Sequence, residues 1–232
     1  MNTSELESPD RLPAARRRGA GAALMASGGI FFAAEFITAA AWTDPPYSYT
    51  YHFISNLGVR GPSTAFGQVM NSPLASVMNS GFFLFGLAAL AGVAMLRGLP
   101  GRRHWPAIAM AALLAAGGIV LAFFPGSGEV ADNGAPDYHF LGAVLGFLSG
   151  NVLIILIGRM YRLLGFSRGM GRGLVVAGII GFVSLVAFGA VLGSGAGLLI
   201  GLVERGIIYP FLICFIIVGA ALRKRGMVSR CR

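Results

Sequence analysis

The chain has 232 residues, 56% hydrophobic and only 12% charged, with a mean hydropathy of +0.74 and a net charge of +9. Soluble domains carry about 25% charged residues, so this composition argues against a water-soluble globule. The basic residues lie in connections between apolar runs, which argues against nucleic acid as a partner.

The apolar residues come in blocks of about 20, the length that crosses a bilayer core. They predict an all-α, polytopic membrane protein. Its core is a compact six-helix transmembrane bundle over residues 20–222, between a polar tail (1–19) and a basic tail (223–232).

The first expected span, Ala20–Trp42, follows a polar start. It is too long for a secretory h-region and is interrupted by Glu35, so we expect it to remain as an uncleaved span. Glu35 lies about 10 Å inside the helix end marked by Trp42, at 1.5 Å per residue. The long connection Thr43–Ser72 follows. Within it, Tyr51–Leu57 reads as a short helix ended by Gly58, with His52, Ser55 and Asn56 on one face. That is a short interfacial or re-entrant segment, which survives at such a depth when buried in protein or lining a wet cavity.

The second span is expected over Pro73–Leu96, with Ser72 as its N-cap and Pro73 at its first position. Asn79 falls early within it. The third runs Trp105–Phe124, preceded by His104, and Trp42 and Trp105 suit interfacial anchors. After the connection Pro125–Asp137, the fourth runs Tyr138–Ile157, capped by Asp137 and opening on His139. Its Asn151 is a buried amide that calls for a partner on a neighbouring helix. The fifth, Gly173–Leu192, leads through a tight glycine-rich turn to the sixth, Leu198–Leu222. Glu204 and Arg205 lie about 9–10 Å into that last span, at the depth of Glu35. Ionised side chains facing lipid are costly, so these should face the bundle, with Arg205 paired to Glu35 or Glu204. Cys214 lies inside a span and Cys231 in the tail, so no disulfide or metal-type cysteine spacing is expected.

Orientation follows from the basic residues. Of 18, only Arg60 and Arg205 lie outside the two tails and the second-to-third and fourth-to-fifth connections. The positive-inside bias then places both termini in the cytoplasm, in a multi-pass cell-membrane protein. Beyond the N-terminal tail the acidic residues are Glu35, Asp44, Glu129, Asp132, Asp137 and Glu204, all toward the opposite, outer side.

Three ordered stretches carry a resemblance: HFISNLGVRGPS after the first span, FPGSGEVADNGAPDYHFLGA before the fourth, and GLVERGIIYP opening the last. Their I-S-x-L-G signature, histidine at a helix start and G-L-x-E-R opening resemble the bacterial and archaeal membrane family called domain of unknown function 998. Asn56 stands where that signature usually has an acid. The resemblance implies a compact bundle of six or seven helices. It singles out Ser55, Leu57, Gly58, His139, Glu204 and Arg205, and it brings no established activity.

Three function classes fit these residues. The first is a subunit that binds membrane lipids or another membrane protein at the outer mouth, through Glu35, Asn56, Asp137, Glu204 and Arg205. The second is a membrane-embedded hydrolase acting on a lipid or amphiphile. It would use Ser55 as nucleophile, His52 or His139 as base, and Glu35 or Asp137 as orienter. No cofactor is expected; were zinc present, His52, His139 and Asp137 would be its ligands. The third is a small-solute transporter, against which stand the lack of an inverted repeat and the few polar residues of the inner half.

Overall fold

In the computed structural model six helices are long and apolar enough to cross a membrane. The structure describes residues 13–65, 67–97, 104–126, 137–195, 197 and 199–228. Glu129 and Asp132 lie outside them.

The spanning helices are α1 (Ala14–Ala41), α2 (Ala75–Ala94), α3 (His104–Phe123), α4 (Tyr138–Arg159), α6 (Arg168–Ser194) and α7 (Ile200–Val228); α5 (Tyr161–Leu164) is a single turn. Each spanning helix packs on the next in sequence, and α7 closes the ring by packing on α1. Along the α1–α7 seam the backbones nearly touch. A Cβ at Gly21 would sit 2.5 Å from the Gly219 carbonyl oxygen, so only glycine permits this approach. In lipid such close packing is itself a main source of helix association. At the ring's centre Asn151 Nδ2 donates to Phe147 O within α4 (2.8 Å) and to Ile207 O of α7 (3.1 Å), the neighbouring-helix partner its burial demands. Outward, α6 exposes Val176, Ile179, Ile180, Val183 and Val186, a helical stripe suited to lipid tails.

Several boundaries differ from expectation; α6 begins at Arg168 rather than Gly173, and α7 runs to Val228 rather than Leu222. Helix α1 begins at Ala14 and takes in Arg16–Arg18; Arg18 Nη1 reaches Gly226 O (3.0 Å) and fastens the two terminal helices. Helix α2 begins at Ala75, with Leu74 rather than Ser72 at its N-cap. Ser72 is instead held by its backbone, whose N–H donates to Val59 O (3.0 Å). Asp137 does cap α4, accepting from Phe140 N at 2.9 Å.

The connection between α1 and α2 is a folded plug. It holds a 3-10 helix, Ile54–Gly58, and a small antiparallel hairpin, β1 (Ser63–Ala65) with β2 (Gln68–Met70), in register Ser63 to Met70. Trp42, Tyr47, Phe53, Ile54, Leu57, Val59 and Met70 are buried in it. The helical turn is shorter than Tyr51–Leu57, and His52 precedes it. The reason lies in the carbonyls of Tyr49, His52 and Phe53, which accept from Arg205 and Tyr47 side chains.

Candidate functional site at the plug end

Arg205 occupies the junction of α1, α7 and the plug, and it is 4% exposed. Its Nε and Nη2 both reach Glu35 Oε1, at 3.0 and 2.8 Å. Nη2 also donates to Tyr47 Oη (2.6 Å), and Nη1 to the carbonyls of Tyr49 (2.7 Å), Gly201 (2.9 Å) and His52 (3.2 Å). A guanidinium has five N–H donors in a rigid fork, and acceptors within the protein meet every arm of it. The ring of Tyr49 lies 4.8 Å from its carbon and that of Tyr47 5.6 Å, adding cation–π attraction. Tyr209 Oη donates to the same Glu35 oxygen at 3.0 Å. The other, Glu35 Oε2, is buried without a partner among the described residues.

Glu204 faces another way. Its Oε2 accepts the Ile54 N–H at 2.6 Å, taking a donor at the start of the 3-10 helix. The first turn of α7 is in turn served by the plug, with Leu202 N donating to Thr50 O (3.2 Å). Gly201 makes the close seating feasible: a Cβ there would lie 2.3 Å from His52 O and 2.9 Å from Tyr49 O. The plug's far side is held by Asn56 Nδ2 donating to Gln68 Oε1 (2.6 Å) and Gln68 Nε2 donating to Tyr51 O (2.6 Å). Asn79 Nδ2 donates to Gly58 O at 3.0 Å and ties the turn to α2.

The residues expected at the outer mouth therefore divide. Glu35, Glu204 and Arg205 meet around the plug, His52 joins them through its carbonyl, and Asn56 joins through Gln68. Asp137 and His139 stand at the start of α4, where His139 Nδ1 pairs with Phe124 O (2.9 Å). Ser55 is half-buried on the 3-10 helix, and no hydrogen bond joins it to either histidine among the described residues. Nor do three His, Cys, Asp or Glu side chains converge among those residues. Sequence reasoning missed Tyr47, Tyr49, Tyr209 and Gln68. Tyr209 has a sequence signal, a phenol one turn after an intramembrane arginine; Tyr47 and Tyr49 reach Arg205 only across the fold, and the Gln68 contact depends on the hairpin.

A family model described as protein of unknown function (DUF998) matches residues 25–221. The chain belongs to this family. No curated protein and no solved structure matches it. The geometry gives physical content to two of the stretches noted in this DUF998 chain. Ile54 and Leu57 of I-S-N-L-G are core residues, 1% and 0% exposed, and Gly58 packs where a Cβ would strike Asn79 Oδ1. The Glu204-Arg205 pair of the last helix binds that stretch at Ile54 N and His52 O. The two motifs are thus halves of one joint.

His52 supplies a pH prediction. Its ring stacks on Trp42 (5.7 Å, 12° between planes), and its Nδ1 accepts from Ser48 N at 3.0 Å, which requires that nitrogen to be unprotonated. Burial, aided by the Arg205 charge, holds its pKa below the usual histidine value. The neutral form is favoured on folding, so its contribution is complete above about pH 6.5. It is lost as pH falls through the depressed native value. Melting in detergent between pH 7.5 and 5 should show wild type losing stability toward acid, with a shallower loss in His52→Phe. Equal slopes would contradict this.

Proposed function

We propose that this protein is a non-catalytic membrane subunit that binds a lipid or a membrane-protein partner at its plug end, on the extracytoplasmic side. The observation that carries this is the saturation of Arg205. Its donors are spent on holding the plug, so the charged centre acts as a clamp that fixes a surface. Beside the fixed plug lies an open cleft of about 540 Å³ between the plug, α2 and α3. Arg60 and Asn79 supply polar contacts there, and Phe83, Leu84 and Phe123 supply an apolar wall. Such a mixture suits an amphiphile, with its polar end at Arg60 and its chain along the phenylalanines.

Reconstitution with a diazirine-bearing phospholipid tests this. Cross-links are expected at Ser80, Phe83 or Phe123 and should fall severalfold in Arg60→Glu. Labelling confined to the α6 stripe, or unchanged by Arg60→Glu, would contradict the proposal. The same reading expects Ser55→Ala and His139→Ala to leave labelling within error, since neither residue lines the cleft. A hydrolase built on Ser55 would lose turnover of an amphiphilic ester in Ser55→Ala.

A further inference from the structure

At the opposite, arginine-rich end of the bundle, α3, α4 and α6 enclose a second cleft of about 820 Å³. Arg159 comes from the last turn of α4, and Arg168 and Arg172 from the first turns of α6. All three are exposed and line the cleft. Among the described residues none of them forms an ion pair or a side-chain hydrogen bond. No acidic residue exists anywhere between Asp137 and Glu204, so these segments bring no counter-charge of their own.

We propose that this cleft binds an anionic phospholipid of the adjoining leaflet, its phosphate held by Arg159, Arg168 and Arg172 and an acyl chain lying on Leu156, Val175 and Val176. Guanidinium forks match phosphate oxygens in bidentate geometry, and basic pockets between spanning helices suit anionic headgroups. The apolar wall distinguishes a lipid from a free phosphate: it continues along α4 and α6 in the direction of the bilayer, and Val176 is 53% exposed. Trp105, 59% exposed in the first turn of α3, marks headgroup depth at this same end. The floor is fixed by backbone contact. A Cβ at Gly171 would lie 2.9 Å from Gly158 O and 2.8 Å from Tyr161 Cβ. That contact draws α4 and α6 together immediately beside Arg159 and Arg172.

Native mass spectrometry of the full chain, released from nanodiscs containing equal dioleoyl phosphatidylglycerol and dioleoyl phosphatidylcholine, tests the proposal. Wild type should retain phosphatidylglycerol preferentially, and each arginine removed should lower that retention about fivefold. The triple variant Arg159→Gln/Arg168→Gln/Arg172→Gln should show no preference. The charge-matched triple Arg97→Gln/Arg223→Gln/Lys224→Gln, whose residues are exposed outside the cleft, should bind as wild type. Inorganic phosphate in excess should leave the retained lipid in place. No preference in wild type, equal loss in both triples, or displacement by phosphate alone would overturn the proposal.

Discussion

Arg205→Ala is expected to destabilise the protein by about 3–5 kcal/mol, the range for removing one partner of a buried ion pair. The cause is the state left behind. Glu35, 0% exposed, would keep Tyr209 as its one remaining partner among the described residues. The carbonyl of Tyr49 would lose its Arg205 donor and that of His52 would keep only a long contact from Tyr47 Oη (3.5 Å), and an unsatisfied buried polar group costs about 1–3 kcal/mol. Arg205→Lys should recover little. An ammonium is a point charge with three donors and cannot span Glu35, Tyr47 and three carbonyls at once. Adding Glu35→Gln to Arg205→Ala should recover part of the loss, because it removes the stranded charge. Chemical unfolding in a fixed detergent provides the measurement, and a loss below about 1 kcal/mol, the range of an exposed pair, would refute the assignment.

Gly201→Ala is expected to destabilise by about 3 kcal/mol, the upper range for overpacking. The sign is the informative part. Inside a helix, glycine to alanine normally stabilises by about 1 kcal/mol. At Gly201 the new methyl would meet His52 O and Tyr49 O, backbone atoms that cannot swing aside. Those are the carbonyls that Arg205 holds, so the plug must lift and the clamp must stretch together. Gly29→Ala is the control: it lies in α1 with no heavy atom within 4 Å of the added carbon. Melting temperatures of the two variants should move in opposite directions from wild type. Movement of both in the same direction would contradict the seating of the plug on Gly201.

Much of this bundle is legible in the sequence. Hydropathy blocks mark the six spans because a bilayer core demands unbroken apolar helices. Glu35, Glu204 and Arg205 lie at similar distances from their helix ends because rise per residue is fixed, and Arg205 pairs with Glu35. The plug was less legible. Period-based reasoning put His52, Ser55 and Asn56 on one helical face, yet His52 stands before the turn with its ring on Trp42. Its backbone is recruited by an arginine 153 positions away, which no local pattern encodes. Gln68 escapes notice for a related reason: its role follows from a hairpin whose strands are three residues each, too short to register as alternation. Ser72 failed as a cap because Val59 claims its backbone, again a contact across the loop. The residues missed are those whose roles depend on long-range pairing, and the family-type stretches became interpretable only once seen touching.

The plug's attachment through Arg205 is tested most directly by hydrogen exchange, resolved by mass spectrometry, on the reconstituted full chain. In wild type the amides of residues 47–60 should exchange about as slowly as those of α2 and α4. In Arg205→Lys that segment should lose protection by at least tenfold while α2 and α4 stay unchanged. If the segment exchanges freely in wild type, or keeps its protection in the variant, Arg205 does not hold the plug and the clamp is wrong.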